Sequence, residues 1–549
     1  MKESTPLLSL ATPHPEEEEP VDVTAEFWSL TWMAFQVSLS TFARIALISV
    51  DSAYLGHLGT SSLAAASLAS TWTNVPLAGV WSGATALVTL CGQAWGAKNG
   101  TLAGIWLQLG LVLVSFLSLP VILWYWWCIG YLLEFSTDDQ EVLELGIRFA
   151  RILSLSIWPS LIYACVRLYF QSMGIMSPVT IVGTLSIGVA CAANSILIFG
   201  VFNWKGMGFN GSPIATVIAA WFQPISLIAY CILYKKMHLQ AWAGWQVSAF
   251  TRDRLKMFIS IAGPVAANSM VSNLANSALT LVAAKLGSNV IAANAMISGL
   301  WSLLWALFWG YGSATQIRVA NYLGAGRPKA ARVLGFLGFL CTVCTVVVLA
   351  IATFAMRETL FRLYSNDDTL LQLCMLVQPI FITGYMIESV EILISSVLAG
   401  MGEVSVTAWV SSLSVWCIEL PIAYFGGVTF RLGFSALWYG VCMMELVKLS
   451  IFTFVLIRID WAKMAKRAVR NMDASNDTNA GVERESLQYA MTEGGNTLGS
   501  LAPVVRSPAA QELMTPCGRR RQWDQMEDGP LLRSPFFTRT PRSDTFARA

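Results

Sequence analysis

The sequence predicts an all-α membrane protein of twelve transmembrane helices in two repeated six-helix bundles. Three observations predict it: long stretches without a charge, an internal repeat of constant spacing, and basic residues gathered in alternate loops. The 549-residue chain is 55% hydrophobic and 12% charged, with a mean hydropathy of +0.58. A soluble domain carries about 25% charged residues. No Asp, Glu, Lys or Arg occurs between His57 and Lys98, Lys98 and Glu134, Arg167 and Lys205, Lys205 and Lys235, Lys256 and Lys285, Lys285 and Arg318, or Arg332 and Arg357. A helix needs about 20 apolar residues to cross a bilayer. Lipid admits only elements that satisfy their own backbone hydrogen bonds, so the spans are helices.

Taken in order, residues 1–26 read as a cytosolic tail with the acidic run Glu16 to Glu19, the reverse of a cleaved signal's charge order. Residues 27–240 form the first bundle, 241–252 a linker and 253–460 the second bundle. Residues 461–549, rich in Ser, Thr, Pro, Arg and Glu without apolar periodicity, read as a disordered cytosolic tail. Spans are expected to start near Phe27, Leu63, Leu102, Ile147, Val179, Ser212, Leu255, Val290, Ala331, Leu371, Val406 and Phe434.

The repeat is read from pairs. Leu58-Gly59 returns as Leu286-Gly287, Trp81 as Trp309, Gly96-Ala97 as Gly324-Ala325 and Met173-Gly174 as Met401-Gly402, always 228 residues on. That offset holds six spans, so both halves share one orientation and relate by an axis along the membrane normal. Proteins built this way bind substrate near the midplane and expose it alternately. The alternate loops holding Lys98, Lys235 to Arg254 and Arg327 to Arg332 are the basic ones, with Lys463 to Arg470 following the last span. Positive charge marks the cytosolic side, which places both termini there.

A net charge of +2 gives no sign of a nucleic-acid partner. The eleven cysteines show no metal-ligand spacing, and no GxxxxGK[ST], HExxH or Gly-x-Ser-x-Gly motif is present. These absences argue against a nucleotide-driven pump, and an intramembrane enzyme is not expected. The expected partners are a small-molecule substrate and the lipid bilayer, for a chain acting as a monomer. No cofactor is expected beyond H⁺ or Na⁺ as a coupling ion.

Ionisable residues inside a membrane are costly and are functional candidates by default. Asp51 ends the first span and is a candidate coupling carboxyl; the plainer reading is a static pair with Arg44, seven residues back. Glu388 and Glu391 are three apart on the tenth span and share a helix face. Two acids so close in a dry medium do not both ionise comfortably, which suits a proton site. Glu419 precedes Pro421, a kink position, and Glu445 with Lys448 reads as a local pair. Asn194, Ser272, Asn273 and Trp305 are candidates for a substrate cavity. The polar seventh and eighth spans also fit plain interhelical hydrogen bonding, and Trp301, Trp305 and Trp309 fit packing.

Val50-Asp51 to Gly59, Gly92 to Lys98, Arg318 to Arg332, Gln171 to Gly174 and Leu398 to Gly402 together resemble the signatures of the multidrug and toxic compound extrusion (MATE) family. The resemblance spans about residues 27–460. It implies a V-shaped pair of six-helix lobes and export coupled to inward H⁺ or Na⁺ flow. It implies organic cations, drugs, glycosides or organic acids as substrates. Asp51 matches the family's first-span acid and Glu388 a tenth-span acid. The seventh-span glutamate of many members is replaced by Ser272. The alternatives are a Na⁺-coupled exporter and a lipid-linked saccharide flippase of the same superfamily. Glu3 to Leu7-Leu8 and Glu527 to Leu531-Leu532 resemble acidic dileucine signals, read by sorting adaptors. They point to a vacuolar or lysosomal membrane, with the plasma membrane as the alternative.

Overall fold

The computed structural model describes residues 20–137, 139–201, 204–236, 241–242, 244–362 and 367–472. Twelve helical spans are long and apolar enough to cross a membrane. They are span 1 (Val23–Leu58), 2 (Ser61–Gly96), 3 (Gly100–Ser136), 4 (Gln140–Ser172), 5 (Ser177–Phe199), 6 (Gly208–Tyr234), 7 (Arg252–Ala283), 8 (Asn289–Gly324), 9 (Pro328–Ala355), 10 (Asp368–Gly400), 11 (Val404–Thr429) and 12 (Ser435–Arg458). All twelve expected spans are present, and no strand occurs among the described residues.

Local chemistry sets the span ends. Asp22 accepts from the Thr24 and Ala25 amides at 3.0 and 3.1 Å, and Asn99, Asp139 and Asp367 cap spans 3, 4 and 10 in the same way. The repeat recurs in the backbone. Gly59 and Gly287, which join spans 1 to 2 and 7 to 8, have φ of +132° and +118°, values that favour glycine. Pro421 divides span 11, with π-helical turns Val415–Glu419 before it and Ile422–Thr429 after it.

The first residues expected to belong to the disordered tail are helical instead. Residues 461–472 form a helix that buries Ala465, Ala468 and Met472. Its Trp461 packs beside Val397 and Phe452, and Arg467 pairs with Glu403. Apolar periodicity over three turns is too short a signal to stand out against a polar tail. Residues 473–549, and with them Leu531 and Leu532, lie outside the described residues, as do Leu7 and Leu8.

The lobes meet at the end that carries the basic loops. Span 1 packs on span 8, span 2 on span 7, and the basic ends of spans 2 and 8 cross each other. At that crossing a Cβ on Gly96 would lie 1.9 Å from the Asn321 carbonyl oxygen, and one on Gly324 would lie 2.1 Å from that of Gln93. Gly96 and Gly324 are repeat mates. Only glycine lets the two backbones approach this closely. Further along, Ser82 donates to Ser269 at 2.9 Å, and Gly79 sits against Met270. One apolar cluster runs from the first lobe into spans 8 and 9 here, with Ala314, Ile317, Leu334 and Leu337. At the opposite end each lobe has its own core: Leu55, Ala66, Ala69 and Phe149 in one, Val282, Ala293, Phe361 and Leu371 in the other. Lobes joined at one end with separate cores at the other form the arms of a V.

An ion pair latches the joined end. Arg318 of span 8 pairs with Glu26 of span 1, and the Tyr322 hydroxyl donates to the same carboxylate at 2.7 Å. Repeat symmetry would place the second copy of this latch at Arg254 and Leu90, so it exists on one side only. Charge-assisted hydrogen bonds contribute about 1.5–3 kcal/mol where they are partly desolvated. Glu26→Gln is therefore expected to raise labelling of a Gln93→Cys reporter from the basic side by about ten-fold. An unchanged labelling rate would show that the latch does not hold this end closed.

Candidate functional site

Each lobe carries a carboxyl site, and the two differ in character. In the first lobe Asp51 does not pair with Arg44. Its Oδ1 accepts from Asn194 Nδ2 at 2.8 Å and its Oδ2 from the Thr216 hydroxyl at 2.7 Å. Spans 1, 5 and 6 thereby meet at one partly buried carboxyl. Asn194 is fully buried and its own Oδ1 has no partner. An amide offers a donor and an acceptor. It can donate to ionised Asp51 and, turned over, accept from protonated Asp51. Nearby, the Tyr54 hydroxyl lies 2.6 Å from Ser195 Oγ.

In the second lobe Glu388 and Glu391 of span 10 lie with Glu419 of span 11 and Glu445 and Lys448 of span 12. Lys448 Nζ donates to both Glu445 oxygens at 2.9 and 3.1 Å and stands 3.6 Å from Glu391 Oε1. Glu391, Glu419, Glu445 and Lys448 are buried, and Glu388 Oε2 is buried with no hydrogen-bond partner. Four carboxyls against one ammonium do not balance. In a dry interior the excess negative charge is relieved by bound protons or by a cation. Among the described residues no group of three His, Cys, Asp or Glu is arranged to hold a metal ion.

A cavity of about 200 Å³ lies beside this cluster, where the lobes meet; Glu391, Asn268, Trp309, Ser395, Thr89 and Gln316 are among its walls. Asn268 Oδ1 accepts from Ser412 at 2.8 Å, and Thr89 donates to the Ala399 carbonyl at 2.8 Å across the lobes. Of the residues singled out in the sequence, Glu391 and Trp309 line this cavity. Asn194 serves Asp51 instead. Asn273 donates to the Ser269 carbonyl of its own helix, Ser272 is partly buried on span 7, and Trp305 stacks on Trp309 at 5.1 Å. The seventh span presents Asn268, one turn before Ser272, to the cavity.

Sequence reasoning did not single out Thr216, Arg167 or Trp81 as site residues. Thr216 is an ordinary threonine in an apolar span. Arg167 marked the edge of a charge-free stretch, which hid that it belongs to the helix. The repeat could have found it, because its mate Ser395 lies on the other half's cavity wall.

Two V-related helical lobes with buried ionisable groups in each define a membrane transporter. The MatE family model matches residues 34–196 and 264–425, one match in each half. The chain belongs to the MATE family of multidrug and toxin extrusion transporters. It is 25% identical to Protein DETOXIFICATION 17 of Arabidopsis thaliana over 84% of this chain and 96% of that protein. It is 25% identical to Multidrug and toxin extrusion protein 2 of Mus musculus, over 81% and 77% respectively. The crystal structure of the eukaryotic MATE transporter AtDTX14 has the same fold, with a TM-score of 0.75 at 22% identity, covering 82% of this chain and 99% of that one.

Proposed function

We propose that the protein exports small organic molecules in exchange for protons. The lobes rock so that the joined end, which faces the cytosol together with both termini as the basic loops indicate, closes and opens in turn. The dileucine patterns favour a vacuolar or lysosomal membrane. The observation that carries proton coupling is Asp51. It is a partly accessible carboxyl held by two neutral donors, one of which has a spare acceptor for the protonated form. The unbalanced acids of the second lobe add further proton-binding groups, Glu388 and Glu391 among them.

In vesicles with an imposed pH gradient, the wild-type protein is expected to accumulate its substrate and to stop when the gradient is collapsed. Asp51→Asn is expected to lose gradient-driven uptake while keeping substrate exchange at equal pH. Accumulation that persists in both Asp51→Asn and Glu388→Gln, or that Na⁺ alone drives, would overturn the proposal.

A further inference from the structure

The first lobe holds a second charged feature, which proton coupling does not use. Arg44 of span 1 and Arg167 of span 4 both lie against the indole of Trp81 on span 2. Their guanidinium carbons are 6.0 and 5.7 Å from its ring centre. All three residues are partly buried inside the lobe. Among the described residues no carboxylate lies within ion-pair distance of either arginine, because Asp51 is committed to Asn194 and Thr216. Arg167 Nε is buried without an acceptor. The two positive charges are near enough to repel each other. Stacking on the indole offsets only part of that cost, about 0.5–2 kcal/mol for each cation. Two unpaired guanidinium groups inside a membrane protein call for an anionic partner.

The repeat gives their equivalents in the second lobe. Adding 228 takes Trp81 to Trp309, Tyr163 to Glu391 and Arg167 to Ser395, and all three mates line the cavity where the lobes meet. It takes Arg44 to Ser272. The first lobe thus carries arginine and tyrosine at the positions where its twin carries serine and glutamate. Where the second lobe offers an acid to the cavity, the equivalent positions of the first lobe are basic or phenolic.

We propose that Arg44 and Arg167, set over Trp81, form an anion subsite that takes the carboxylate of a small organic acid. A guanidinium fork binds a carboxylate through two parallel hydrogen bonds, the strong charge-assisted kind. The indole gives the organic body an apolar contact. The four carboxyls of the opposite lobe disfavour a more highly charged ligand such as a lipid pyrophosphate. This inference names the substrate class within the exporter reading above and rests on it.

Equilibrium binding to the purified full-length protein in nanodiscs tests the subsite without any gradient. The probes are benzoate and its near-isostere of opposite charge, phenyltrimethylammonium. Benzoate is expected to bind saturably. Arg44→Gln and Arg167→Gln are each expected to weaken it about ten-fold or more, whereas Arg44→Lys and Arg167→Lys keep part of the affinity and report on the site should a glutamine variant not fold. Phenyltrimethylammonium is expected to bind the wild-type protein more weakly, and Arg44→Gln is expected to improve it. Benzoate affinity unchanged in the folded arginine variants would overturn the subsite. So would geranyl pyrophosphate binding through the same arginines in place of benzoate. Gradient-driven benzoate uptake separates the two readings. Arginine-dependent binding without gradient-driven uptake overturns the exporter alone, and gradient-driven uptake indifferent to both arginines overturns the subsite alone.

Discussion

Gly96→Val is expected to open the end of the protein where the lobes join. Any Cβ at this position meets the Asn321 carbonyl oxygen at 1.9 Å, and the symmetric change at Gly324 meets the Gln93 carbonyl oxygen at 2.1 Å. Both obstacles are backbone atoms, so no rotamer change relieves the clash. Gly310 is a related case on spans 1 and 8: Ser38 Oγ at 1.9 Å can swing aside, but the Ala34 carbonyl oxygen at 2.6 Å cannot. Overpacking costs about 1–3 kcal/mol where neighbours can shift, and more where they cannot. About 3 kcal/mol against one of two states moves their ratio roughly a hundred-fold. In a cysteine-free background, a Gln93→Cys reporter is expected to react much faster from the basic side in Gly96→Val, and turnover is expected to collapse. Gly188→Ala is the control, because nothing lies within 4 Å of the added atom. Equal labelling in Gly96→Val and Gly188→Ala would mean that the crossing does not close this end in the membrane.

The second large effect is on stability. Lys448→Met removes the one cation among Glu388, Glu391, Glu419 and Glu445 while preserving apolar volume. Removing one partner of a buried pair costs about 3–5 kcal/mol, so the thermal transition is expected to fall by at least about 5 °C. Adding Glu445→Gln is expected to restore part of the loss, with a coupling of about 1–3 kcal/mol, because Glu445 is then no longer an uncompensated charge. Glu391→Gln, whose carboxylate stands at 3.6 Å rather than in direct contact, is expected to restore less. Two single losses that simply add would show that Lys448 is not held by these carboxylates.

Asp51 and Asn194 illustrate what could be read in one dimension. Both were visible as polar residues in apolar spans, and each was given a role of its own. Their hydrogen bond joins spans 1 and 5, and no periodicity within either helix encodes it. The same holds for Arg44. Seven residues from Asp51 on one helix, it suggested an ion pair, yet it turns to Trp81 on span 2 and shares it with Arg167 of span 4. Glu445 and Lys448 were the easier pair, because an i, i+3 contact is local and a single helix suffices to make it.

The sequence by itself determined that this is a membrane protein of twelve helices in two like-oriented halves. The physical reason is that lipid imposes length and hydropathy on each span separately, and duplication leaves a constant offset in the numbering. Tertiary structure alone decided which charges meet. Asp51 found two neutral donors, four acids gathered round one lysine, and two arginines gathered round one tryptophan. These partnerships depend on how helices more than a hundred residues apart are rotated against each other. That rotation is set by packing at close crossings such as Gly96 and Gly324, where the motif was legible and the contact was not.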